Sequence, residues 1–173
     1  MKGLIKYGLA ATMVFATAMA TPALAKEKQI FDVCINPATD VATQDDPTKP
    51  GAFATAAANI FPKGTIPNGG LASCPSSPVI GTFYANVGFE FGLPAATDVL
   101  AFVTWHFDFS PKGTFVTVGP IPFAPNHVPP GPTTYPQTLA GASGPFPSSG
   151  KATVRPLSPD GFQFRITLPE GDD

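Results

Sequence analysis

Two long stretches of this chain alternate strictly between apolar and polar residues. In 79–91 every second residue is apolar or small, and in 99–109 the apolar positions include Trp105. A period of two residues is that of a β-strand with one face buried and the other in water. A shorter stretch with the same period, 162–168, lies near the C-terminus. Half-buried strands of this kind predict an antiparallel sheet that is closed on itself or covered.

Proline and glycine punctuate the rest of the chain. Its 22 prolines and 17 glycines divide short runs of phenylalanine, valine, isoleucine and threonine, which are residues that favour strands. The alanine-rich stretch 53–60 is the best candidate for a helix, but Pro50 and Gly51 precede it and Pro62 closes it. Its length is marginal for a helix on its own, so we interpret it as a strand. The predicted fold class is therefore all-β.

The turns between these strands predict a meander. Residues 110–113 (SPKG) form a tight turn into a strand at 114–118, and 158–161 (SPDG) form a second hairpin. Seven prolines fall within 119–136, where they exclude pairing in the interior of a sheet, so we predict a long Pro-rich loop there. The segment 36–50, which carries three aspartates, is predicted to be irregular and solvated.

Residues 1–25 have the three parts of a secretory signal peptide. Two lysines precede an apolar run, and Ala23 and Ala25 provide small residues for a signal peptidase, so cleavage is predicted between Ala25 and Lys26. The alternative is an uncleaved membrane anchor, which needs about 20 apolar residues, and the run here is shorter. We therefore predict a single domain at 26–173 that is exported to the periplasm or out of the cell and has no membrane span in its mature form.

The charge of the mature chain excludes one class of partner. Residues 1–25 contain two lysines and no acidic residue, which leaves eight basic and twelve acidic residues in the remainder. A nucleic-acid-binding domain carries a basic surface. We therefore expect no nucleic-acid partner.

Two cysteines, Cys34 and Cys74, remain in the mature chain. In an oxidising compartment such a pair normally closes, so we predict a disulfide. A redox or metal role is the alternative. The chain has no C-x-x-C motif, and its two histidines, His106 and His127, lack the spacing of metal ligands, so no metal site and no cofactor are predicted.

A glycine-rich segment near the C-terminus, 139–150 (LAGASGPFPSSG), resembles that of the allene oxide cyclase and dirigent barrel superfamily. In that superfamily the segment leads into a closing hairpin, which here would be formed by 151–157 and 162–168. Segments 59–67 and 80–83 are similar to those of exported bacterial proteins assigned to this kind of barrel. The resemblance implies a single antiparallel β-barrel of about eight strands with an apolar lumen. Some members cyclise a substrate or guide coupling, but none of the family's functional residues maps onto this chain, so no catalytic residue is assigned.

An immunoglobulin-like β-sandwich is the alternative fold. Its two cysteines would bridge opposing sheets around a buried tryptophan. Trp105 lies outside the interval between Cys34 and Cys74, which favours the barrel.

The apolar face of the predicted strands carries a row of aromatic residues that could line a cavity for an apolar ligand, as the mouths of barrels often do. The candidate ligand-binding residues are Phe83, Phe89, Trp105, Phe107 and Phe164, and Phe162 belongs to the same row. The alternative is that the row is ordinary core, because the lumen of a small barrel can be filled by side chains.

The opposite face carries His106 and Asp108, which could act as an acid–base pair, with Tyr84, Asn86 and Glu90 on the adjoining strand. The simpler interpretation is that these five side chains cover the solvent face opposite the aromatic row. We adopt it because the aromatic face is so uniform.

Two functional hypotheses follow. The first is a binding or structural module that holds a small hydrophobic molecule or contacts another protein through its Pro-rich loop. The second is a cyclase or isomerase that folds a flexible apolar substrate in the lumen with few catalytic groups. An enzyme of that kind needs an open lumen with at least one buried polar group among the aromatics, whereas a structural module has a filled lumen. The chain contains neither a Gly-x-Ser-x-Gly motif nor a phosphate-binding loop, and the sequence leaves oligomerisation open.

Overall fold

Nine β-strands and no helix make up the described part of the chain, which is residues 28–44, 51–90, 99–123 and 134–170 of a computed structural model. The strands are β1 (Ile30–Cys34), β2 (Val41–Gln44), β3 (Phe53–Pro62), β4 (Gly81–Glu90), β5 (Val99–Asp108), β6 (Thr114–Phe123), β7 (Tyr135–Ala142), β8 (Lys151–Pro156) and β9 (Gln163–Thr167). The predicted signal peptide at 1–25 and its cleavage between Ala25 and Lys26 lie outside the described residues.

Eight of these strands close into an antiparallel barrel. From β3 to β9 each strand pairs with the next along the chain, as a meander. Strand β1 then joins the two ends, because Val33 lies opposite Phe164 on β9 and opposite Ile60 on β3. The prediction of an all-β antiparallel barrel of about eight strands is confirmed, and the β-sandwich alternative is wrong.

Strands β1 and β2 share one position in the barrel wall. They run in the same direction along β3, with β1 opposite 59–62 and β2 opposite 53–56. A turn at 35–40 separates them, and its Asp40 carboxylate accepts a hydrogen bond from the Asn36 backbone nitrogen (2.8 Å). The prediction that 36–50 is irregular is therefore wrong for β2, whose four residues are too short a pattern to stand out. Within the described residues, β2 pairs with β3 alone, so its other edge has no ladder.

Both ends of the predicted Pro-rich loop, 119–136, are strand, so the prediction that its prolines exclude pairing is wrong there. Pro120 of β6 lies opposite Phe102 of β5. The Pro120 carbonyl faces β7, where it accepts a hydrogen bond from the Gln137 side chain (3.4 Å). Because the nitrogen and carbonyl of one strand residue face the same side, the missing N–H of Pro120 faces away from β5. The ladder between β6 and β7 covers only 115–118 of β6, so no backbone bond is lost. The middle of the loop lies outside the described residues.

Stacked aromatic rings fill one end of the barrel, which we call the closed end. This is the end at which β5 joins β6 and β7 joins β8. The rings of Phe107 and Phe115 stack with centroids 4.4 Å apart, and Phe109 lies 4.6 Å from Phe31 and 5.0 Å from Phe146. Aromatic pairs at these separations add to the stability that their burial provides. The opposite end, at which β8 joins β9, holds no such cluster of rings among the described residues, and we call it the open end.

Two connections cross closely beneath the closed end. Gly144 has a φ of 71°, and a Cβ at this residue would lie 2.2 Å from the Lys112 carbonyl oxygen. Only glycine fits both the left-handed conformation and the space. Gly144 of the glycine-rich segment 139–150 therefore allows the two connections to pack closely at the closed end of the barrel.

An outer layer, residues 63–74, covers β1 and β9 from outside the barrel. The predicted disulfide between Cys34 and Cys74 is confirmed, with the two Cα atoms 5.6 Å apart. Beside it Phe61, Ile66 and Leu157 pack into a second small core. The outer layer is thus fastened both covalently and by apolar contacts.

A buried carboxylate also holds the outer layer. Asp32 on the outward face of β1 is fully buried and accepts two hydrogen bonds from Arg165, at 2.6 Å from Nε and 2.9 Å from Nη2. The backbone nitrogens of Gly64 (2.8 Å) and Ile66 (3.1 Å) donate two more. The hydrogen bond to Asp32 raises the pKa of the Arg165 guanidinium. This network joins β1, β9 and the outer layer through a buried ion pair whose carboxylate accepts four hydrogen bonds.

Candidate functional site

An apolar cavity of about 250 Å³ lies inside the open half of the barrel. Its floor is formed by Trp105 and Phe164, whose rings stack with centroids 4.6 Å apart and planes 19° apart. The walls are made by small and aliphatic side chains from β3, β4, β5, β6 and β8, namely Ala54, Ala85, Val87, Ala101, Val103, Ile121 and Val154. The cavity therefore presents a flat aromatic floor within aliphatic walls.

A gradient of side-chain size along the strands creates this space. On β5 the inward residues enlarge from Ala101 and Val103 near the open end to Trp105 and Phe107 toward the closed end. On β4 the inward residues beside the cavity are Val87 and Ala85, and the larger, fully buried Phe83 follows toward the closed end. Large residues at every inward position would fill a barrel of this size. The open half is hollow because its inward side chains are small.

Among the described residues, one wall of the cavity is joined by a backbone hydrogen bond from the Ile35 nitrogen to the Phe162 carbonyl (2.8 Å) and by side-chain contacts. Where β2 has no second partner in the described part of the chain, Ile35 and Val41 face Pro156, Gly161 and Phe162 around the cavity.

The residues predicted to bind a ligand divide between the cavity and the core. Trp105 and Phe164 line the cavity, and Phe162 lies in its side wall. Phe83 and Phe107 lie beneath them, with Phe83 5.6 Å from Trp105. The Phe89 side chain lies outside the described residues. The aromatic row is thus divided between the lining of a cavity and the packed core, and ligand binding by the lining residues stays a prediction.

The structure adds one polar residue that sequence reasoning missed. Tyr135 at the start of β7 is 7% exposed and lines the cavity, and its hydroxyl has no hydrogen-bond partner among the described residues. Burial raises the pKa of this hydroxyl above its ordinary value, so it stays protonated near neutral pH. Tyr135 falls within the predicted Pro-rich loop, 119–136, so the alternation of strand residues could not reveal it.

Two further polar side chains face inward next to Tyr135. Gln137 is two residues further along β7, and Thr117 lies on the neighbouring β6. Both are buried, and the Gln137 Oε1 and Thr117 Oγ1 atoms find no partner within the ranges that the structure describes. The barrel interior therefore holds a polar stripe on β6 and β7 among its apolar residues.

The candidate acid–base residues lie on the outside of the barrel. Tyr84 is exposed and stacks on His106 with ring centroids 5.9 Å apart. Asp108 accepts hydrogen bonds from the Ser110 hydroxyl (2.7 Å) and backbone nitrogen (2.8 Å), which lower its pKa. Asn86 is also exposed, and the Glu90 side chain lies outside the described residues. The interpretation of this face as a solvent face is confirmed for the side chains that are described.

Neither a metal centre nor a membrane-spanning helix occurs in the described ranges. No three histidine, cysteine, aspartate or glutamate side chains there are grouped so that they could hold a metal ion. No helix there is long and apolar enough to cross a bilayer.

Comparison with known proteins supports the fold. The sequence matches no protein-family model, and the search of curated proteins found no match. Among solved structures, a pyocyanin demethylase superposes with a TM-score of 0.53 at 12% identity, covering 83% of this chain and 98% of that one. A pterocarpan synthase dirigent protein, GePTS1, gives a TM-score of 0.48 at 13% identity, covering 95% of this chain and 96% of that one. At 12% identity, the likeness to the demethylase shows a similar fold and nothing more.

Proposed function

We propose that this protein is an exported barrel that binds one small, mainly apolar molecule in the cavity at its open end. The observation that carries the proposal is the cavity itself. Protein interiors are close-packed, and the same strands are packed solid at the closed end. An apolar space with a few polar groups at the mouth of a barrel is the usual form of a small-molecule site.

The size of the cavity defines the class of molecule. An apolar cavity of about 150 Å³ takes one benzene ring, and sites for drug-sized ligands begin at about 300 Å³. The observed volume of about 250 Å³ lies between these values. The stacked floor of Trp105 and Phe164 offers a flat surface to a ring. A compound of about two fused rings therefore fits best.

Indane, which has two fused rings and no polar atom, is the probe that tests this proposal. Trp105 is the single tryptophan of the chain, so its fluorescence reports the cavity floor directly. We expect indane to change the Trp105 emission in a saturable way. Replacing Ala101, a fully buried wall residue, by phenylalanine should weaken indane binding at least about tenfold, because the new ring occupies the cavity.

The matched control is Ala140→Phe, which adds the same ring at an exposed position of β7. Indane binding should be unchanged in this variant. Equal affinity of indane for both phenylalanine variants would show that it binds elsewhere. The proposal is wrong if indane leaves the Trp105 emission of the wild-type protein unchanged and native mass spectrometry of the protein finds no co-purified molecule.

Export is part of the same proposal. The disulfide between Cys34 and Cys74 needs an oxidising compartment, and residues 1–25 have the pattern of a signal peptide. We expect the intact mass of protein from the periplasmic or extracellular fraction to match an oxidised chain that begins at Lys26. Recovery of the full-length chain from the cytoplasm with free thiols would contradict export.

A cyclase or isomerase is the second candidate, and one observation favours it. The lumen is open and contains a buried polar group, Tyr135, as such an enzyme requires. However, the described residues around the cavity include no carboxylate, imidazole or amine. Among the described residues that line the cavity, Tyr135 has the only titratable side chain, so binding is the better supported function.

A further inference from the structure

Tyr135 is one of the residues that line the mainly apolar cavity, and its hydroxyl oxygen is buried with no hydrogen-bond partner among the described residues. Resting on the proposed binding function, we propose that the ligand is a neutral ring compound with a carbonyl oxygen, and that the Tyr135 hydroxyl donates a hydrogen bond to this oxygen. The site then recognises shape through its aromatic floor and chemistry through one tyrosine. It distinguishes a cyclic ketone, lactone or quinone from the hydrocarbon of the same shape.

The cost of burying this hydroxyl supports a partner from outside the chain. An unpaired buried polar group costs about 1–3 kcal/mol, and buried polar groups in proteins are almost always hydrogen-bonded. Phenylalanine would fill the same space as Tyr135 without that cost. The described residues supply no partner for the hydroxyl. A ligand that enters the cavity can provide one.

The protonation state of Tyr135 decides which kind of partner it takes. Burial raises its pKa, so the hydroxyl keeps its proton and acts as a donor near neutral pH. A carbonyl oxygen is the matching acceptor. A carboxylate ligand would need a positive partner to offset its burial, and no lysine or arginine is among the described residues that line the cavity. These observations favour a neutral oxygen-bearing molecule.

The neighbouring Gln137 is held in place and does not compete for this role. Its amide nitrogen donates to the Pro120 carbonyl (3.4 Å), and its side chain lies against Gly119, where a Cβ would come within 2.8 Å of Nε2. Gln137 is not among the residues that line the cavity. The assignment therefore rests on Tyr135, the polar side chain of the stripe that reaches the cavity.

A pair of probes that differ in one carbonyl group tests the inference. Calorimetric titration would compare indane with 1-indanone, which has the same fused rings and one ketone. For the wild-type protein we expect 1-indanone to bind about tenfold more tightly, which is the effect of one buried hydrogen bond. For Tyr135→Phe we expect equal affinity for the two probes, with the indane affinity unchanged. Thermal unfolding should show this variant to be at least as stable as the wild type, since it loses only an unpaired hydroxyl.

Tyr84→Phe is the matched control, because Tyr84 is an exposed tyrosine on the outside of the barrel. It should keep the tenfold preference. Equal binding of both probes to the wild-type protein would overturn the inference and leave the binding function intact. A preference that survives in Tyr135→Phe would overturn the role of Tyr135. If neither probe binds the wild-type protein, the proposed function fails and the inference fails with it.

Discussion

Replacing Asp32 by alanine is expected to lower the free energy of unfolding by about 3–5 kcal/mol, the usual cost of breaking a buried ion pair. Asp32 is fully buried and receives four hydrogen bonds, two of them from Arg165. Without the carboxylate, the guanidinium loses its counter-charge and the backbone nitrogens of Gly64 and Ile66 lose their acceptor. Urea unfolding followed by Trp105 fluorescence would measure the change.

Two further variants separate burial from charge. The pair of Lys28 and Glu170 is exposed, with side chains 58% and 65% accessible and 3.6 Å between the charged atoms. Glu170→Gln should therefore change the stability by less than about 1 kcal/mol. The double variant Asp32→Leu with Arg165→Met should be more stable than Asp32→Ala, because no charge is left buried without its partner. If Asp32→Ala costs no more than Glu170→Gln, the buried network contributes nothing to stability.

Removal of the disulfide is expected to cost about 2–4 kcal/mol. The bond joins residues 40 apart in sequence, so in the unfolded chain it closes a long loop and lowers the entropy of that state. Its loss also frees the outer layer, residues 63–74, from one of its attachments to β1. The variant with Cys34→Ala and Cys74→Ala should unfold at lower urea than the oxidised wild type.

Reductant provides the control for this prediction. It should lower the stability of the wild-type protein toward that of the double alanine variant and leave the variant itself unchanged. An equal effect of reductant on both proteins would mean that the disulfide is not the source of the difference. The cost should also be smaller in an Asp32→Ala background, because both changes release the same segment and their effects are then not additive.

The strands that could be predicted from sequence are those with long, unbroken alternation. Strands β4 and β5 each extend over ten residues, and their period of two is unmistakable. Strand β2 has four residues, too few for a period to show. Strand β7 was missed for another reason. Its inward positions include Gln137 and its second residue is Pro136, so its pattern resembles a loop although it lies in the barrel wall.

Part of the candidate site, its aromatic floor, could be predicted from the sequence. The aromatic floor followed from the alternation, since Trp105 and Phe164 occupy inward positions. The cavity above them depends on how far each strand extends and which strand it pairs with. Neither the strand ends nor the pairing can be read from the alternation of residues. A signal was nevertheless present, because the inward positions of β5 change from the small Ala101 and Val103 to the large Trp105 and Phe107. Tyr135 could not be found because the strand that carries it was not recognised.

The two halves of the barrel respond differently to sequence change. The stacked rings, the disulfide and the buried ion pair lie at the closed end or in the outer layer, away from the small residues that surround the cavity. Substitutions at Ala54 or Ala101 reshape the cavity while those stabilising contacts stay intact. During evolution, a lineage with this barrel can therefore change the shape of its cavity in a few steps without first losing its fold.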